Sequence, residues 1–222
     1  MLGCGYAAAG AKGVKLVSEL LTGAPVSSSS SSKLWFEVLP IPPRKYEGNT
    51  HLDLALGSIS NRSGTRSGIQ LLEEDNSWIC FCEMKWNSDI STTVSYDLNR
   101  NQLVRVIENA LCFQDNRGRY AEEVFVTLVT PAMFYYNSCK SRLYQYKFSE
   151  YNHDAENVLK DLQACSLKTN YNNNWKYPEE ISARLNCLTL NWITYEYLFE
   201  NLPDSVIADE LKKFWQRFRK GN

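Results

Sequence analysis

Histidine is almost absent from this chain: His51 and His153 are the only two in 222 residues. Because Cys80 and Cys82 lie two apart on a strand-like run, that scarcity argues against a zinc site built from clustered cysteines and histidines. An excess of one charge is also lacking. The 24 Lys and Arg against 25 Asp and Glu leave a net charge of −1. That excludes a polybasic protein coating nucleic acid or anionic membrane, so any nucleic-acid contact has to be local. No run approaches the roughly 18–20 apolar residues of a membrane-spanning helix. The opening stretch, small and mildly apolar, lacks the basic segment and sustained apolar core of a secretory signal. Seven cysteines, scattered mostly inside apolar runs, suit buried reduced thiols. The expectation is a cytoplasmic protein with no membrane partner.

What is present is enough for a packed core. Apolar residues make up 44% and charged residues 22% of the chain, close to ordinary globular values. Thirteen tyrosines, nine phenylalanines and six tryptophans supply core packing or a stacking surface, and composition does not choose between them.

Periodicity divides the chain. Val14, Val17, Leu20 and Leu21 form a helical stripe over residues 11–22, with Gly23 as its stop. Six consecutive serines, Ser27 to Ser32, read as a polar linker. Leu34 to Leu39 reads as a strand ended by prolines, and His51 to Leu56 as a second, with His51, Asp53 and Ala55 on one face. Residues 57–68 read as a loop and 69–72 as a further strand. Leu98 to Phe113 carries a helical stripe, with Asp97 as N-cap and Gln102, Arg105 and Asn109 along its flank. Val124 to Val129 is a continuous apolar run of the kind buried on both faces, so strand, helix and strand suggest a crossover unit. Beyond residue 131 the pattern reads as helical, including 154–165, 178–202 and 203–218. The cations at Lys212, Lys213, Arg217, Arg219 and Lys220 favour a helix C-terminus, with a nucleic-acid patch as the alternative.

The most informative stretch is Trp78 to Trp86, an apolar strand carrying Glu83 and Lys85. Both project from one face, roughly 6.6 Å apart. Their desolvation requires a partner, a metal or a substrate. Asp53 lies on a preceding strand with compatible alternation. Two acids on neighbouring strands suit a hard divalent cation such as Mg2+, and an adjacent lysine suits activation of water or neutralisation of charge developing at phosphorus. The bland alternative is an ion pair at a sheet edge, with Asp53 capping a turn. His51 reads as a rim or core histidine.

Asp53, a gap of 29 residues, then Glu83-Met84-Lys85 at the end of an apolar strand and a following helix with Gln102, together resemble the PD-(D/E)xK, or restriction-endonuclease-like, nuclease superfamily. The resemblance covers residues 11–131; Leu52 stands where the family often has proline. It implies an α/β fold with a central mixed four- to five-stranded sheet flanked by helices, followed by a helical extension over 132–222. It also implies that Asp53, Glu83 and the Met84 carbonyl hold Mg2+, with Mn2+ as a substitute, that Lys85 serves the attacking water, and that Gln102 and Glu19 join the site. The implied function is a DNA endo- or exonuclease, with DNA favoured over RNA and a homodimer favoured if both strands of a duplex are cut. The other reading is a catalytically silent nuclease fold that binds nucleic acid or protein.

Overall fold

The computed structural model describes residues 2–26, 33–86, 88–91, 100–136, 142–172 and 175–220. The serine run, Asp97 and Leu98 lie outside them. Two helices open the fold, α1 (Leu2–Ala8) and α2 (Gly10–Thr22). The second buries Val14, Val17 and Leu21 as the stripe predicts, and Gly23 closes it in the left-handed conformation at φ 69°, its N–H bonded to the Glu19 carbonyl. Further carbonyls left over at that helix end are satisfied from the sheet below. Thr127 Oγ1 donates to Leu21 O at 2.6 Å and Asn191 Nδ2 to the same oxygen at 2.7 Å.

Five strands make one mixed sheet in the order β1-β2-β5-β6-β9. They are β1 (Leu34–Val38), β2 (Leu52–Gly57), β5 (Trp78–Met84), β6 (Glu123–Thr130) and β9 (Leu188–Thr194). The first three pair antiparallel, while β5, β6 and β9 run parallel. Between β2 and β5, the loop and strand expected over 57–72 form a separate ribbon, β3 (Ile59–Asn61) with β4 (Ile69–Leu71). This leaves β2 free to pair directly with β5. Helix α3 (Gln102–Leu111) is the crossover from β5 to β6, as parallel pairing requires.

The chain past residue 131 differs most from its helical expectation. Helices α4 (Ala132–Tyr135), α5 (Leu143–His153) and α6 (Glu156–Gln163) lead to a short ribbon, β7 (Tyr171–Asn172) with β8 (Trp175–Lys176). Then come α7 (Ile181–Arg184), one 3-10 turn (Leu185–Cys187), β9, α8 (Tyr195–Glu200) and α9 (Val206–Lys220). Residues 178–202 are therefore not one helix. Leu188, Leu190 and Trp192 pack on one side of the sheet and Ile193 on the other, the period-2 division of a strand. Pairing with the otherwise open edge of β6 decides the conformation, and the C-terminal part completes the sheet rather than only flanking it.

Apolar alternation produces two cores. Ala55, Ile79, Phe81, Val124, Val126 and Leu128 face α3, α5 and α6. Leu54, Leu56, Trp78, Cys80, Cys82, Phe125 and Val129 face α1, α2, α8 and α9. Tyr6 crosses that second layer to donate to Leu198 O at 2.6 Å. The fold is thus a helix, sheet, helix sandwich of the α/β class. Among the described residues no helix is long and apolar enough to cross a membrane.

Candidate active site

β2 and β5 pair with Leu54 opposite Cys82 and Ala55 opposite Phe81. Just beyond the Leu54 and Cys82 pair, Asp53 comes close enough to Glu83 for its charge to act on the Glu83 carboxyl. The Asp53 carboxylate accepts the Met84 N–H at 2.7 Å, closing the end of β2 onto the end of β5. Lys85 follows the last residue of β5, and its backbone N–H still donates to Val129 O at 2.9 Å. That bond fixes where its side chain begins.

Glu83 Oε1 receives both Lys85 Nζ at 2.8 Å and Gln102 Nε2 at 2.7 Å. Lys85 Nζ in turn donates to Gln102 Oε1 at 2.9 Å. Carboxylate, ammonium and amide therefore form a closed hydrogen-bonded triangle. Gln102 joins it because α3 begins at that residue, capped by Asn101, whose side chain accepts from Val104 N at 2.9 Å. Asn101 occupies the N-cap position that the sequence suggested for Asp97. The electropositive end of the helix is thereby placed next to Glu83.

Glu83 is only 2% exposed. Burial pushes its carboxyl up to about 7, Lys85 draws it back down, and the nearby Asp53 adds to the rise. Such a group gains most from an added positive charge. Tyr195, the first residue of α8, feels the same pair: burial raises its phenol, and Asp53 and Glu83 raise it further. Nothing in the sequence joined Tyr195 to the acids, because only the parallel placement of β9 carries it there.

Two other expectations fall differently. Glu19 pairs with Lys15 at 3.8 Å and lines a cleft with Asn191, Trp192 and Thr194 of β9. β9 lies two strands from β5, and among the described residues Glu19, Asp53 and Glu83 do not converge as a group. The structure does not bring it to the other acids. His51 is exposed just before β2, on the rim and not in the core.

Behind the triangle lies a buried charge network that sequence reading did not find. Arg100, with no exposed surface, pairs with both Glu47 and Glu108. Arg44 also reaches Glu108 at 2.6 Å, and donates to Leu162 O and Leu167 O at 3.0 Å each. Tyr177 OH completes the Glu108 shell at 2.6 Å. The network ties the loop before β2, the start of α3 and the chain after α6 into one unit, and so fixes the helix end that presents Gln102. Arg105, one turn along α3, bridges outward: its Nη2 donates to Gly48 O at 3.3 Å.

Comparison with protein-family models, with curated proteins and with solved structures gave no match for this chain.

Proposed function

We propose that this protein is a metal-dependent nuclease, hydrolysing phosphodiester bonds at Asp53, Glu83 and Lys85 in the manner of the restriction-endonuclease-like family that its residue pattern resembles. DNA is the favoured substrate over RNA. The supporting observation is the convergence, at the end of one buried strand, of two carboxylates with an ammonium bonded to the more buried of them.

The residues fit a divalent ion of the magnesium type. Among the described residues no cluster of three or more His, Cys, Asp or Glu converges as a metal site, so the chain offers Asp53, Glu83 and the Met84 carbonyl. An all-oxygen set with few protein ligands suits Mg2+, which retains part of its water shell, better than Zn2+ or Ca2+. Mg2+, or Mn2+ in its place, supplies Lewis acidity and charge neutralisation at phosphorus.

The chain's own groups do the rest. Two donors of the Lys85 ammonium are directed to Glu83 and Gln102. An ammonium has three donors, and the third serves the attacking water or the charge developing on the phosphoryl oxygens. Gln102 holds that amine in place and keeps Glu83 oriented. Gln102→Ala is accordingly expected to lower turnover and Mg2+ affinity by about 10- to 100-fold, with the fold retained by circular dichroism.

The reading is tested with linear, circular and single-stranded DNA and with RNA, each incubated in Mg2+ and in Mn2+. Metal-dependent cleavage of DNA, abolished by chelation, is the expected result. Absence of cleavage from every substrate in both metals would instead leave a catalytically silent binding module.

A further inference from the structure

A cavity of about 600 Å³ opens beside Asp53, between the ends of β2 and β5 and the layer of α1, α2, α8 and α9. Asp53 and Met84 form part of its wall, so it is continuous with the proposed catalytic centre. The remaining wall is strongly aromatic. Trp86 meets Tyr195 with ring centroids 5.1 Å apart and Trp215 at 5.2 Å, edge to face. Phe214, 48% exposed on α9, stands on the same wall.

The charges on this wall decide what it takes. Among the described residues its charged members are Glu37 and Asp53, both acids, and no lysine or arginine contributes. A phosphate group is therefore repelled from the interior, whereas a flat neutral heterocycle finds apolar faces to stack on. Trp86 follows Met84 by two residues, about 6.6 Å along an extended chain, a reach of one nucleotide step from a phosphate held at the acids. Bases inside a duplex are stacked and paired, and enter such a pocket only when unpaired or extruded.

We propose that the cavity receives an unpaired nucleobase flanking the scissile phosphate, so that the substrate is single-stranded or frayed nucleic acid rather than intact duplex. This rests on the nuclease reading for the position of the phosphate. The aromatic wall supplies the affinity and the acids set the register of the strand.

The test is binding by fluorescence anisotropy in Mg2+ to full-length Lys85→Ala protein, used so that the probes survive. Three labelled probes of equal length are compared: single-stranded oligothymidylate, a strand with the same backbone but abasic sites, and a blunt duplex. The single strand is expected to bind at least about tenfold more tightly than either of the others, as one well-stacked base permits. Adding Phe214→Ala should weaken the single strand alone by about 5- to 100-fold, with the fold retained by circular dichroism, and Phe214→Trp should keep the affinity. Equal binding of base-bearing and abasic strands, duplex binding as tight as single-strand binding, or no binding of any probe would overturn the proposal. The two readings fail separately. A base-dependent preference in a protein whose wild type cleaves nothing removes the nuclease and leaves a nucleobase pocket, whereas cleavage without that preference removes the pocket alone.

Discussion

Asp53→Asn and Lys85→Ala are each expected to slow DNA cleavage by at least about 10²- to 10³-fold while the protein stays folded. Asparagine keeps the size of aspartate, and its carbonyl oxygen accepts the Met84 N–H that Asp53 now accepts at 2.7 Å. The strand ends therefore stay joined and only the charge is lost. Lys85→Ala acts twice. It removes the donor proposed to serve the reaction, and it removes the group that draws the Glu83 carboxyl down against burial. Glu83 then rises further and is held more in its neutral form, in which it is a poor cation ligand. Protonation of Glu83 spares the fold an isolated buried charge, and Gln102 Nε2 still donates to it. Single-turnover cleavage rates beside thermal melts separate this from simple unfolding. Cleavage at the wild-type rate in both variants would remove the assignment of the site.

Glu108→Ala carries the largest expected effect on stability. Glu108 has no exposed surface and accepts from Arg44, Arg100 and Tyr177 at once. Truncation strips Arg44 of its carboxylate partner and leaves Arg100 with Glu47 alone. Removing one partner from a buried ion network typically costs about 3–5 kcal/mol, because the opposite charge stays behind in a poorly solvating interior. Against a total stability of roughly 5–15 kcal/mol the loss is severe. For a chain of this size it corresponds to a fall of roughly 6–20 °C in melting temperature. Glu73→Ala is the contrast: its partner Arg117 is 71% exposed and the pair lies 2.9 Å apart at the surface, where such pairs contribute about 0–1 kcal/mol. Similar melting temperatures for Glu108→Ala and Glu73→Ala would mean that the buried network bears little of the stability.

How much of this could be read in advance depends on range. Asp53, Glu83 and Lys85 were legible because a strand's period of two makes a charge on an apolar run conspicuous, and that signal needs only a few neighbouring residues. Gln102 entered through the family resemblance, since its face depends on a helix phase that sequence leaves open; the helix in fact begins at Gln102 rather than near Leu98. β9 was not legible. Leu188–Thr194 is seven residues long, too short for its alternation to outweigh the helical flanks, and a parallel partner decides its state: Thr130 and Thr194, for example, pair although 64 residues apart. Tyr195 and the aromatic wall depend on that strand and were hidden with it. The network of Glu47, Arg100 and Glu108 was invisible for another reason. A charged residue in a sequence looks the same whether water or an opposite charge solvates it, and here the partners come from three separate segments.

The central claim is that Asp53 and Glu83 together form a divalent-cation site, and the most direct measurement is thermal melting of wild type, Asp53→Asn and Glu83→Gln across a Mg2+ and Mn2+ titration. A ligand present at about 100 times its dissociation constant stabilises the folded state by about 2.7 kcal/mol, or roughly 5–10 °C for a protein of this size. The wild type is expected to show such a saturable rise, and each variant to lose it. A wild type indifferent to both ions, or variants that rise as much as the wild type, would contradict the site and the hydrolytic function built on it.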